Sequence, residues 1–192
     1  MSDWKQRLTE ILEPALREPD PRPRISAYHD MPYAIFRYSP EDELALRVEV
    51  SLLKTRLEYA GKKVTCISLA ECMAEALEAE GIDTQSIVEA ETKVGLDAAI
   101  ETVHNVLSEY QPLDNLVAAK IPEDRDPLCD IVFILRAGAL FPMYRTSSLL
   151  EQLKGKVDIP CILFYPGELD GAAGLRFMGV LDAEHNYRPR IF

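Results

Sequence analysis

Two continuous apolar segments constrain the fold of this chain more than any other feature. They are DIVFILRAG, residues 130–138, and IPCILFYPG, residues 159–167. A strand with one face in water alternates apolar and polar side chains, whereas a strand covered on both faces is apolar throughout. Both segments therefore predict strands of a sheet that helices cover on its two faces.

Predicted helices alternate with these strands along the chain. Further strands are predicted at 32–38, 63–69 and 175–182, and helices at 39–59, 70–81 and 144–154, with residues 84–120 mostly helical. Parallel strands joined by right-handed helical crossovers follow from this alternation. The predicted fold class is α/β, with a mainly parallel sheet of about five strands and helices on both faces.

The beginning of the chain differs from the rest. Residues 3–17 predict a helix because apolar residues recur at helical spacing. The segment EPDPRPR, residues 18–24, contains three prolines and predicts an extended linker. We therefore expect an N-terminal helix and proline-rich linker at 1–31, followed by a single α/β domain at 32–192.

Composition excludes several classes of protein. The net charge of −11 makes general nucleic-acid binding an unexpected task, since an acidic surface repels phosphate. No signal peptide is evident, and no apolar run approaches the roughly 20 residues of a membrane span. The four cysteines form no C-x-x-C pair and predict structural thiols. A cytoplasmic location is the resulting expectation.

Polar side chains follow the predicted strands and suggest a binding surface. The carboxyl ends of parallel strands meet at one edge of a sheet, where ligands and partners bind. Arginine and tyrosine are frequent in interface hot spots. We predict partner binding by Arg136, Tyr144, Arg145, Tyr165 and Glu168. The alternative at this point is that the arginines bind loop carbonyls or Glu168 and only stabilise the edge.

A nucleotide site is not supported after the first strand. The segment SPEDE, residues 39–43, stands where a phosphate loop would lie, and it lacks G-x-x-x-x-G-K-[ST]. Its carboxylates would repel phosphate. Ser39 and Asp42 instead predict a capping box for the following helix, whose buried face is Leu46, Val50, Leu53 and Leu57, widened by Leu44, Val48 and Leu52. If the architecture is P-loop-like, its Walker A site has been lost.

Metal and acid–base chemistry have only weak candidates. Asp83, Glu91 and Lys93 loosely imitate a metal nuclease, but they fall on a predicted helix surface. Other candidates are Asp170 with Glu168, and the cluster Asp182, Glu184 and His185. None has a ligand spacing typical of a metal site. We predict no catalytic residue, metal or cofactor; a degenerate nucleotide-binding regulator and a metal-dependent nuclease or phosphoesterase remain as alternatives.

The chain resembles the BrxB family (DUF1788). The segments that carry the resemblance are FILRAGALFPMYRTSSLLEQL, IPCILFYPGELDG and LRFMGVLDAEHNYRPRIF, and it extends back through YSPEDELALRVEVSLLKTRLEYAGKKVTCISLAE. It covers most of residues 32–192. The order G-A-L-F-P, F-Y-P-G, N-Y-R is more specific than any single piece.

This resemblance implies a place in a bacteriophage-exclusion (BREX) system, which blocks phage replication and methylates host DNA. The family implies no catalytic residues of its own. The chemistry belongs to other components: a methyltransferase, a large ATPase and PglZ, an alkaline-phosphatase-like protein. The resemblance therefore favours a non-catalytic adaptor whose partner is the PglZ-type protein.

Overall fold

The computed structural model describes residues 2–26, 32–171, 174–185 and 189–192. The strands in this part of the chain are β1 Tyr33–Tyr38, β2 Lys63–Ser68, β3 Asp130–Leu135, β4 Cys161–Asp170, β5 Gly174–Phe177 and β6 Arg190–Ile191. The helices are α1 Asp3–Arg7, α2 Glu13–Arg17, α3 Arg22–Ile25, α4 Glu43–Tyr59, α5 Leu69–Ala79, α6 Thr84–Val94, α7 Leu96–Asn105, α8 Leu113–Ala119 and α9 Thr146–Gln152. No described helix combines the length and hydrophobicity that crossing a membrane would require.

A parallel sheet forms the centre of the molecule, as the sequence predicts. Its strand order is β2–β3–β4–β1–β6, and each neighbouring pair is parallel. One predicted strand is shorter than expected and lies outside the parallel part of the sheet. The segment predicted at 175–182 supplies only β5, which pairs antiparallel with the far end of β4. The fifth parallel strand is instead β6, near the end of the chain.

Two separate cores cover the two faces of the sheet. On one face, α4 and the N-terminal helices pack on Phe36, Phe133 and Phe164. The ring of Phe164 lies 5.5 Å from that of Phe36 and 5.2 Å from that of Phe133. On the other face, side chains of α5, α8 and α9 pack on Ile67, Ile134 and neighbouring strand residues. Fully burying one such side chain contributes about 1.5–3 kcal/mol. The result is the predicted three-layer arrangement with helices on both faces.

The N-terminal residues join the first of these cores. The chain is helical from Asp3 to Arg17, with a π-helical stretch at Leu8–Leu12, and it buries Trp4, Leu8, Leu12 and Leu16. The prediction of an extended 18–24 was wrong in part, because α3 begins at Arg22. Proline is compatible with the first helical turn, where its missing N–H has no intrahelical acceptor. Residues 27–31 lie outside the described residues, and the division at residue 31 stays a prediction.

Candidate functional site

The carboxyl edge of the sheet contains a crevice at the point where the chain changes faces. After β1 the chain enters α4 on one face, and after β3 it enters α9 on the other face. Strand β4 lies between them, so this is a topological switch point, where α/β proteins commonly bind ligands. A cavity of about 270 Å³ lies here, lined by Glu43, Arg47, Arg136, Gly138, Pro166 and Met178, among others. The segments after β1, β3 and β5 therefore meet at this edge, beside Pro166 of β4.

Arg136 directly follows β3 and lines this cavity. Its backbone is left-handed, with φ 60° and ψ 37°, a conformation that costs a residue with a Cβ about 1–2 kcal/mol. The Nε atom of its side chain is buried and makes no hydrogen bond within the described structure. Among the described residues, Arg136 Nε therefore binds no loop carbonyl, and Arg136 forms no ion pair with Glu168. A framework role of the arginines at this edge stays an alternative.

Glu43 faces the same cavity but is already bonded within the protein. The hydroxyl of Tyr38 donates a hydrogen bond to one carboxylate oxygen, and Arg47 Nε donates to the other at 2.8 Å. Burial, together with the bond to Glu43, raises the pKa of Tyr38. The predicted capping box does not form, because the Ser39 side chain makes no cap hydrogen bond. The backbone oxygen of Ser39 instead accepts a hydrogen bond from Asp42 N at 2.9 Å. A 3₁₀ turn at Pro40–Asp42 occupies the start of α4 instead.

Two of the five residues predicted to bind a partner lie in the core. Tyr144 is buried, and its hydroxyl donates to Gln152 Oε1 at 2.8 Å; burial raises its pKa to about 12. Tyr165 is fully buried, with its ring 5.3 Å from that of Phe177. Their surroundings give both tyrosines a role in the framework of the edge.

The other two residues are accessible at the surface. Arg145 donates from Nη1 to the carboxylate of Glu184, in an ion pair that leaves about half of the arginine side chain exposed. Glu168 is exposed on β4, opposite Arg176 in the antiparallel pair with β5. A role of any of the five in binding a partner stays a prediction.

The weak nuclease candidates lie on a helix, as expected. Asp83 caps α6 by accepting from Ser86 N at 2.7 Å, and the hydrogen bond from the Ser86 side chain is the largest of the causes that lower its pKa. Lys93 pairs with Glu89 at 3.0 Å on the same helix. Within the described residues, no group of three or more His, Cys, Asp or Glu side chains could hold a metal ion. The hypothesis that Asp83, Glu91 and Lys93 form a metal-nuclease site therefore has no supporting geometry.

The cysteines provide no reactive site in the core. Cys72 and Cys161 are buried, and burial raises their pKa to about 11 and about 12, respectively. Both are thiols at neutral pH, whereas the nucleophilic form of cysteine is the thiolate.

An outward apolar stripe on α4 is the main surface feature that the sequence analysis missed. The predicted widening of the buried face was wrong: Leu44, Val48 and Leu52 are 73%, 61% and 49% exposed, and Tyr59 at the end of the helix is 95% exposed. The residues that α4 buries are Leu46, Val50, Leu53 and Leu57. A signal was present in the sequence, since a helix that is apolar on two faces is covered on both or binds a partner.

Together, the fold and the site define a three-layer α/β protein with a small cationic crevice and an exposed apolar helix. A family model described as BrxB, BREX protein BrxB, matches residues 65–191. A curated BREX protein BrxB from Bacillus cereus (strain H3081.97) is 29% identical over 185 residues, which cover 95% of this chain and 94% of the relative. No solved structure matches the chain.

The chain belongs to the BrxB family. This membership confirms the resemblance found in the sequence and supports a role in the BREX phage-defence system.

Proposed function

We propose that this chain is a non-catalytic adaptor of the BREX system, which works in the cytoplasm and binds the larger PglZ-type, alkaline-phosphatase-like component. Membership of the BrxB family supports a role of this chain in the BREX system. The adaptor role rests on one observation, which is the apolar stripe that α4 presents to solvent.

The stripe has the dimensions of a helix-docking surface. Leu44, Val48 and Leu52 are spaced four residues apart and share one side of α4. At 1.5 Å per residue, the helix is about 25 Å long, enough to span a groove on a partner of the kind that receives amphipathic helices. Leaving these side chains in water forgoes favourable burial that a partner would supply.

Charged residues at the carboxyl edge would orient such a partner. Arg145 and Glu168 are accessible there, and α4 begins at this edge because it follows β1. The net charge of −11 favours a partner with a basic surface, such as one that faces DNA, through electrostatic steering. Apolar burial along α4 and charge pairing at the edge are thus complementary parts of one proposed interface.

Co-purification of the tagged chain with the PglZ-type protein tests the proposal. Wild type should retain the partner, and Leu44→Glu with Val48→Glu should lose it while the melting temperature stays near that of wild type, because both side chains are exposed. A matched control is Val88→Glu with Val94→Glu on α6, where the side chains are 53% and 72% exposed. This control should retain the partner.

Two results would count against the proposal. If wild type fails to retain the PglZ-type protein under conditions in which both are folded, the named partner is wrong. If the α4 variant binds as well as wild type does, the stripe is not the interface and its exposure needs another explanation.

A further inference from the structure

We propose that the crevice at the switch point binds a single oxyanion group, a phosphate or a carboxylate, between Arg136 and Arg47. This inference does not rest on the proposed partner. It concerns a cavity of about 270 Å³, and a failure of the α4 stripe to bind protein would leave it unaffected.

The first argument is an unmet hydrogen-bonding requirement. Arg136 Nε is buried without a hydrogen bond, and the guanidinium enters no ion pair within the described ranges. A buried donor that is left unsatisfied is costly. A guanidinium presents parallel N–H donors that match two oxygens of a phosphate or carboxylate. Neither Nη nitrogen of Arg136 is among the buried, unbonded donors of the described residues, so an oxyanion in the cavity would accept from this end of the guanidinium and balance its charge.

The second argument is the charge balance of the cavity. Arg47 and Arg136 both line it, and Glu43 is the carboxylate beside them. The two oxygens of Glu43 already accept from Tyr38 and from Arg47. Within the described residues, Glu43 therefore balances Arg47, and no carboxylate pairs with Arg136. Since the protein carries a net charge of −11, a cation without a counter-charge in a crevice is a specific feature of this site.

The third argument is backbone conformation. Within the described residues, Arg136 and Met178 are the two non-glycine residues with positive φ, at 60° and 54°, and both line this cavity. Such conformations are costly and cluster at ligand sites, where surrounding structure holds them in place. The same crevice therefore contains strained backbone from two different loops.

The size of the cavity restricts the ligand. Pockets for drug-sized molecules occupy about 300–1,000 Å³, so this one admits an oxyanion group but not a whole nucleotide in an enclosed position. Its wall is close on the β3 side, where a Cβ on Gly138 would lie 3.3 Å from Met178 Sδ. The ligand is thus a small free anion or the tip of a larger molecule.

Nuclear magnetic resonance of the full chain provides the test. Inorganic phosphate and acetate are titrated up to tens of millimolar at constant ionic strength, with chloride as the reference. Either oxyanion should shift the Arg136 Nε–Hε signal and the amide signals of Gly138 and Ala139, and the shifts should saturate. The anion that saturates at the lower concentration identifies the ligand as phosphate or carboxylate.

Variants separate binding from folding. Arg136→Gln should remove the saturable shifts, and Arg24→Gln, at an exposed arginine on α3, should leave them unchanged. Ala139→Leu fills the cavity without removing either guanidinium and should also abolish saturation, which provides a second measurement if Arg136→Gln folds poorly. Shifts that are linear and equal in chloride, or saturation that persists in folded Arg136→Gln, would overturn the proposal.

Discussion

At the end of β3 the chain turns immediately, whereas β4 continues past the parallel part of the sheet. The two junctions have similar sequences, FILRAG and ILFYPG. Arg136 takes a left-handed conformation and opens onto a cavity. Tyr165 stays extended, and the residues Gly167–Asp170 go on to pair with β5. The junction after β3 thus presents the Arg136 side chain to a cavity, and the corresponding junction in β4 is part of the core.

The difference arises from what lies above each strand. Strand β5 folds back along β4 and places Phe177 against the Tyr165 ring at 5.3 Å. Nothing pairs with β3 beyond Leu135 in the described structure, and the side chain of the next residue, Arg136, reaches the crevice. A strand-to-loop junction in an α/β protein becomes a site when the next segment leaves it uncovered, and similar residues become framework when a hairpin covers them.

The largest expected effect is at the covered junction. Tyr165→Ala removes a fully buried ring that packs on Phe177, and we expect a loss of about 3–5 kcal/mol in the free energy of unfolding, as for other buried aromatic residues. Chemical denaturation measures this. Tyr165→Phe is the control, because it keeps the ring. A loss below about 1 kcal/mol for Tyr165→Ala would show that the β4–β5 cover contributes little.

Next in size is a comparison of two glycines, one at each junction. A Cβ on Gly167 would lie 2.4 Å from the Arg176 backbone oxygen, whereas a Cβ on Gly138 would meet the flexible Met178 side chain at 3.3 Å. We expect Gly167→Ala to cost about 1–3 kcal/mol and Gly138→Ala to change stability by less than about 0.5 kcal/mol. Thermal and urea unfolding of the pair would measure both, and equal costs would contradict the contrast.

A smaller effect, of opposite sign, is expected at Arg136. Arg136→Gly relieves a left-handed backbone and removes a buried unsatisfied donor, so it should stabilise the protein by about 1 kcal/mol, net of the greater freedom of glycine in the unfolded chain. Urea unfolding at low phosphate is the measurement. Destabilisation would mean that Arg136 supports the fold through contacts, in agreement with the framework alternative.

The smallest effect is expected at the exposed arginine. Arg145→Gln breaks the ion pair with Glu184, and about half of the Arg145 side chain is exposed. Exposed ion pairs contribute roughly 0–1 kcal/mol, so the melting temperature should hardly change. Glu184→Gln is the reciprocal control. The double variant should change the melting temperature by no more than either single variant does. A large loss would place Arg145 among the framework residues of the edge.

Several features could be predicted from sequence because they are local. The apolar segments at 130–138 and 159–167 predicted buried strands, and β3 and β4 lie there. Helical periodicity predicted α4 and α5. The order of the elements predicted that the ends of the two apolar segments would share one edge, and Arg136 and Pro166 from these ends both line the cavity. These predictions depend on side-chain periodicity and on the geometry of parallel strands.

Other features depended on contacts between distant segments. The capping box at Ser39 was replaced by a 3₁₀ turn, while Glu43 was bonded by Tyr38 and Arg47. The face of α4 that points outward was not predictable from an apolar pattern on two sides of the helix. The direction of β5 was also hidden, because a single strand segment carries no information about whether its partner runs parallel or antiparallel.

By itself, the sequence determined the class of fold and the family, since the alternation of buried strands with helices and the ordered motifs are properties of the chain alone. Tertiary structure alone decided which polar residues meet solvent. Tyr165 is buried because β5 packs over it, whereas Arg136 reaches a cavity because no strand in the described part of the chain covers it. Exposure depends on the neighbours that folding brings from elsewhere in the chain, and residue type at one position does not specify those neighbours.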